Sequence, residues 1–150
     1  MNFNDFDSVI QFALEREEEA IEAYEQLLPK ATLPGLRELL KELQAEERKH
    51  KERLEELSQR DLPPSEVPEV EDMKISDYVL EGTIDEGMSL QDVLIFAAKR
   101  EQKAIELYRD LAQRTDSPEI KKLFEWLVSQ EKAHKLRLES EYEKHILQED

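Results

Sequence analysis

Two of the three histidines in this 150-residue chain follow a glutamate at a distance of three residues. The pairs are Glu47 with His50 and Glu131 with His134. Residues three apart on a helix share a face, so each pair can aim a carboxylate oxygen and an imidazole nitrogen at one point. These are ligand atoms for a divalent metal and also the groups that carry protons in acid–base work. Glutamate is abundant here, and one such pair on a highly charged helix is ordinarily a solvated face. The pair recurs, however, 84 residues later, together with its surroundings. FALEREEEAIEAYEQLL from Phe12 matches FAAKREQKAIELYRDLA from Phe96, and ELQAEERKHKERLE from Glu42 matches WLVSQEKAHKLRLE from Trp126. The simplest account is a duplicated helical hairpin. The third histidine, His145, lacks the pattern and reads as a surface tail residue.

The elements that must carry these residues follow from the apolar spacing. Leu36, Leu40, Leu43, Glu47, His50, Leu54 and Leu57 advance in steps of four and three, the seam by which a helix faces a bundle. Ile120, Phe124, Leu127, Glu131, His134 and Leu138 repeat that seam. Two further stripes, Ile10 to Leu28 and Leu94 to Leu111, are each interrupted by one glutamate, Glu17 and Glu101. The spacing predicts helices over Asp5–Leu28, Pro34–Leu57, Ser89–Ala112 and Pro118–His145. Asp5 and Ser89 are placed to cap, and Pro34 and Pro118 fall in first turns, where proline loses no hydrogen bond. The organisation is one domain over 1–150: a hairpin over 5–57, a connection over 58–88, and a second hairpin over 89–145. The fold class is all-α, a ferritin-like four-helix bundle with a long crossover between helices two and three. The connection holds half the prolines and is strongly acidic, so it should lie on the surface or carry a short helix near Ser76–Glu81.

In an antiparallel hairpin, residues with a common mean position lie opposite one another. Glu17 and Glu47 centre on Thr32, and Glu101 and Glu131 on Asp116, so each hairpin brings its two glutamates to one height. Four carboxylates buried together repel, and each desolvated charge costs several kcal/mol unless compensated. Either they become protonated or cations sit among them; two divalent ions would offset four negative charges, with neutral His50 and His134 completing the ligand set.

Composition bounds the rest. The formal charge of −16 argues against nucleic acid and anionic membranes. The absence of cysteine excludes disulfides, thiolate zinc sites, iron–sulfur clusters and thiol chemistry. The acidic beginning is not a signal peptide, and no apolar run reaches about 18 residues, which predicts a cytoplasmic protein.

On Glu17, the Glu47/His50 pair, Glu101 and the Glu131/His134 pair, the sequence resembles the rubrerythrin-type, ferritin-like di-iron domain from about Asp5 to Tyr142. The resemblance implies that Glu17 and His50 serve one iron, Glu101 and His134 the other, and that Glu47 and Glu131 bridge. It also implies that Tyr24 and Tyr108, seven residues after Glu17 and Glu101, hydrogen-bond ligand carboxylates. Two departures stand out. Ala104, with its repeat mate Ala20, occupies the place of the family's extra third-helix glutamate. The cysteine-bound rubredoxin iron that supplies electrons in full-length relatives has no counterpart.

Oxygen-rich ligand sets favour iron or manganese. The expected cofactor is therefore two iron ions, with manganese as the alternative. The expected activity is reduction of peroxide or oxygen with a separate electron donor. A non-catalytic metal-binding or iron-handling protein, of ferroxidase or storage type, is the competing class. The expected assembly is a homodimer, its hairpins paired within a chain or swapped. Arg16 and Arg100, beside the terminal glutamates, are read as solvated ion pairs off the seam, and Trp126 as a helix-edge or dimer contact.

Overall fold

Helix boundaries follow the capping chemistry. In the computed structural model, which describes residues 1–32, 34–82 and 87–144, α1 spans Phe6–Leu27, α2 Pro34–Ser58, α3 Leu90–Gln113 and α4 Pro118–Tyr142. Asp5 starts α1 with a reciprocal cap: the Ser8 amide donates to Asp5 Oδ1 at 2.8 Å, and the Asp5 amide donates to Ser8 Oγ at 3.3 Å. Ser89 accepts from the Asp92 amide at 3.1 Å to begin α3. Ser117 caps α4 one residue ahead of Pro118. At the first bend, Arg37 donates to the carbonyls of Leu28 and Ala31, just beyond the end of α1. All four expected helices are present, although α4 is described only as far as Tyr142, and His145 lies outside the described residues.

The helices pair as two antiparallel hairpins, α1 with α2 and α3 with α4, and both hairpins of one chain meet across the bundle. The apolar core is in two parts. One end packs Val9, Ile10, Leu54, Leu57, Leu107, Leu111, Ile120, Phe124 and Leu127. The other packs Leu27, Leu36, Leu40, Leu43, Val93, Leu94 and Leu138. Between them lies a layer of buried polar side chains, at the height where the seams carry glutamate and histidine.

The crossover is anchored rather than merely superficial. Its Val70, Met73 and Tyr78 are buried and extend the first apolar cluster. The Phe3 amide donates to the Met73 carbonyl at 3.1 Å, and the Ile75 amide to Met1 at 2.9 Å. Thr115 Oγ1 donates to the Glu66 carbonyl at 2.8 Å, and Tyr78 Oη to Asp110 at 2.6 Å. The short helix expected near Ser76–Glu81 is a single 3₁₀ turn over Ile75–Tyr78. Val79 leaves it in extended conformation, so the turn does not propagate. Among the described residues no helix is long and apolar enough to cross a membrane.

Candidate metal centre

Each of the four helices contributes a glutamate to the polar layer. Glu17 on α1, Glu47 on α2, Glu101 on α3 and Glu131 on α4 are all buried, as are His50 and His134. Their ligand atoms fall into two groups, each with its atoms within 4.8 Å of one another. Glu17, Glu47, His50 and Glu131 form one group; Glu47, Glu101, Glu131 and His134 form the other. Glu47 and Glu131 belong to both. The equal-height argument for each hairpin thus holds in three dimensions, and the two hairpins bring their glutamates to the same height.

Each imidazole turns Nδ1 toward this cluster. His50 Nδ1 lies 2.7 Å from Glu131, 3.5 Å from Glu47 and 3.7 Å from Glu17. His134 Nδ1 lies 2.7 Å from Glu47, 3.7 Å from Glu131 and 3.8 Å from Glu101. Each histidine therefore reaches closest to the paired glutamate of the opposite hairpin. The two rings stack, with centroids 5.5 Å apart and planes inclined by 13°.

The tyrosines cross between hairpins as well. Tyr24 Oη on α1 donates to Glu101 at 2.8 Å, and Tyr108 Oη on α3 donates to Glu17 at 2.5 Å. Each phenol finds the acceptor that a buried hydroxyl requires, and each fixes one oxygen of a glutamate on the facing helix. Burial and the surrounding carboxylates push both phenols well above their usual pKa, so both remain donors at neutral pH.

The electrostatics are those of a site short of positive charge. Burial, reinforced by the neighbouring Glu47, pushes the Glu17 carboxyl well up. Burial and the Glu101 charge do the same to Glu131. Glu47 is also buried, but the adjoining Glu17, the hydrogen bond from His134 and the nearby His50 outweigh burial and hold its carboxyl well below the usual range. Burial opposes charge on the histidines, yet the adjacent carboxylates of Glu17 and Glu47 raise His50 to about 9. The carboxylates of Glu101 and Glu47 raise His134 to about 11. Protons take the place that cations would occupy.

Several buried atoms nevertheless have no hydrogen-bond partner: Glu17 Oε2, Glu101 Oε2, Glu131 Oε1 and both nitrogens of His50. The close approach of His50 Nδ1 to Glu131 is not aligned as a hydrogen bond. Buried acceptors are rarely left open, and converging open acceptors are what a bound cation satisfies. The donor set, oxygen from four carboxylates and nitrogen from two imidazoles, fits a pair of divalent ions.

A cavity of about 40 Å³ adjoins the cluster. Glu17, Glu47, Glu101, Glu131 and Tyr108 line it, along with Ala20 and Ala104. Arg16 and Arg100 also line it and converge on Glu19, with Arg16 Nη2 at 2.8 Å from that carboxylate. Both arginines are ion-paired as expected, but they stand at the edge of the cavity rather than away from the site. Trp126 likewise has a nearer neighbour than expected. Its ring meets His50 edge to face at 5.4 Å, and Arg53 lies over it at 5.2 Å. Glu46 was not signalled by the seam, because it lies one residue off it; its carboxylate is a close partner of His134 Nε2. The sign in the sequence was a break in the repeat, since its counterpart is Gln130.

Comparison with known proteins agrees with the four-helix fold. No curated protein matches the chain. A hypothetical protein from Pyrococcus furiosus is 26% identical, with a TM-score of 0.73 over 93% of this chain and 89% of the other. A Thermotoga maritima structure described as a putative ferritin-like diiron-carboxylate protein has a TM-score of 0.79 at 20% identity, over 97% and 99% of the two chains. The copper(II)-bound form of CopM scores 0.70 at 17% identity, over 96% and 99%. The rubrerythrin family model matches residues 8–144, and the chain belongs to the rubrerythrin family.

Proposed function

We propose that the chain is a dinuclear metal oxidoreductase that reduces peroxide or oxygen, with two iron ions as its cofactor and manganese as the alternative metal. Glu17 and His50 would hold one ion and Glu101 and His134 the other, with Glu47 and Glu131 available to both. The observation that carries this reading is the sharing of Glu47 and Glu131 between two buried ligand sets beside a small cavity. A bound iron pair supplies two electrons, the number that converts a peroxide and two protons into two waters.

The residues around the cluster do the rest. Tyr24 and Tyr108 orient Glu101 and Glu17 by holding one oxygen of each. Ala20 and Ala104 leave the cavity open where longer side chains would fill it. At about 40 Å³ it holds roughly three water-sized molecules, taking about 10–15 Å³ for each. That suits peroxide or oxygen. The chain has no cysteine and so no thiolate-bound redox centre, so a separate donor returns the electrons.

A soft-metal carrier is the less favoured reading. CopM is described with silver and copper bound. Copper(I) and silver(I) prefer thiolate or thioether ligands, and the buried cluster here offers carboxylate and imidazole. The test is to load the protein anaerobically with iron(II) and mix it with substoichiometric peroxide in a stopped-flow instrument. Site oxidation much faster than that of free iron(II) is the expected result. Oxidation no faster than the free ion overturns the proposal, and rapid oxidation by oxygen with release of iron assigns iron handling instead.

A further inference from the structure

The duplicated hairpins are not equivalent where they flank the two histidines. Beside His134, the α2 carboxylate of Glu46 accepts a hydrogen bond from Nε2, and Glu42 one turn earlier pairs with Arg137. The positions 84 residues away are Gln130, Trp126 and Arg53. The repeat therefore replaces an ion pair, Arg137 with Glu42, by Arg53 over the Trp126 ring at 5.2 Å. It replaces the carboxylate of Glu46 by a neutral amide. The consequence falls on His50, whose Nε2 is buried without a hydrogen-bond partner while the edge of its ring system meets Trp126.

A carboxylate on the far nitrogen of an imidazole fixes which nitrogen carries the proton. It also strengthens the other nitrogen as a donor, and losing such a partner commonly costs 10–100-fold in metal affinity. When His134 gives up one proton to bind an ion, Glu46 keeps the other on Nε2, so the lone pair forms on Nδ1, the nitrogen that faces Glu47, Glu101 and Glu131. Among the described residues nothing performs that service for His50.

We infer that Glu46 is a positioning residue that makes the two metal positions unequal, the Glu101/His134 position binding its ion more tightly than the Glu17/His50 position. This rests on the dinuclear reading proposed above. It adds an order of filling and a residue that sets it, neither of which requires turnover.

The probe is cobalt(II), added to the metal-free protein and followed by calorimetry and by its visible spectrum. Wild-type protein should fill in two resolved steps, and H50Q should keep the tight step while losing the weak one. E46Q should lose about 10–100-fold in the tight step, with little change in the weak one. Q130E should strengthen the weak step and narrow the gap between the two. Two equal steps in wild type overturn the inference. So does an E46Q variant in which both constants are unchanged or fall together. A wild-type protein that binds no cobalt, manganese or iron overturns instead the dinuclear reading on which this depends.

Discussion

Metal uptake by this protein should expel protons in a countable ratio. His50, raised to about 9, and His134, raised to about 11, are both cationic at pH 7 in the metal-free protein. An imidazole must be neutral to ligate, so filling both positions releases two protons from the histidines alone. Glu17 and Glu131 are also pushed well up, chiefly by burial, and any proton they hold leaves as well. The upper limit is then four protons for two divalent ions, at which point the charge entering equals the charge leaving. The sign is fixed: the metal-bound state holds fewer protons, so affinity rises with pH. With two protons displaced, the product of the two binding constants should climb about 100-fold per pH unit between pH 6 and 8, and faster if the carboxyls contribute. The assay is calorimetric titration of metal in buffers of different ionisation enthalpy, where the slope of the observed heat gives the protons released. Fewer than two protons per two ions, or an affinity indifferent to pH, would refute the assignment of His50 and His134 as ligands.

Two further outcomes follow from the same charges. The metal-free protein should lose thermal stability as pH rises. A histidine whose folded pKa is raised contributes fully below its unfolded value of about 6.5, and that contribution is lost on the way up to about 9 for His50 and about 11 for His134. Melting followed by circular dichroism in chelator should show the decline from neutral pH upward, and a constant or rising midpoint would contradict it. The Glu47→Ala/Glu131→Ala variant should retain essentially no metal by elemental analysis, because each residue belongs to both ligand sets. Retention of two ions in that variant would overturn the sharing.

The sequence made the site unusually readable because duplication places every chemical group twice. A glutamate inside an apolar seam is ambiguous once, but Glu17 with Glu101 and Glu47 with Glu131 recur at one spacing and at matched heights. The burial of all four follows from the seam, since the leucines on either side cannot pack without carrying the glutamate inward. Other features were not legible for physical reasons. Periodicity locates a residue on one helix but says little about what it meets on the next. Trp126 against His50 and Glu46 against His134 are both contacts between α2 and α4. The crossover was hidden differently. Its acidity suggested a solvated strap, while the burial of Val70, Met73 and Tyr78 depends on tertiary anchoring to Phe3, Asp110 and Thr115.

The division of the core into two explains how such a charged layer can persist at all. Each apolar cluster draws residues from all four helices, one at each end of the bundle. Burying a leucine- or phenylalanine-sized side chain contributes about 1.5–3 kcal/mol, and many such residues lie on each side of the layer. The ends therefore fix the relative placement of the hairpins, and the middle need not provide the attraction that holds them together. Crossed hydrogen bonds from Tyr24 to Glu101 and from Tyr108 to Glu17 then tie each hairpin to a ligand of the other. The glutamates are thus held in place by groups other than a metal, which distinguishes this site from one that the ion itself must assemble. Preorganisation of that kind leaves acceptors open and repulsion unrelieved in the empty protein. On the dinuclear reading proposed above, that repulsion would favour cations over the protons that otherwise occupy the site.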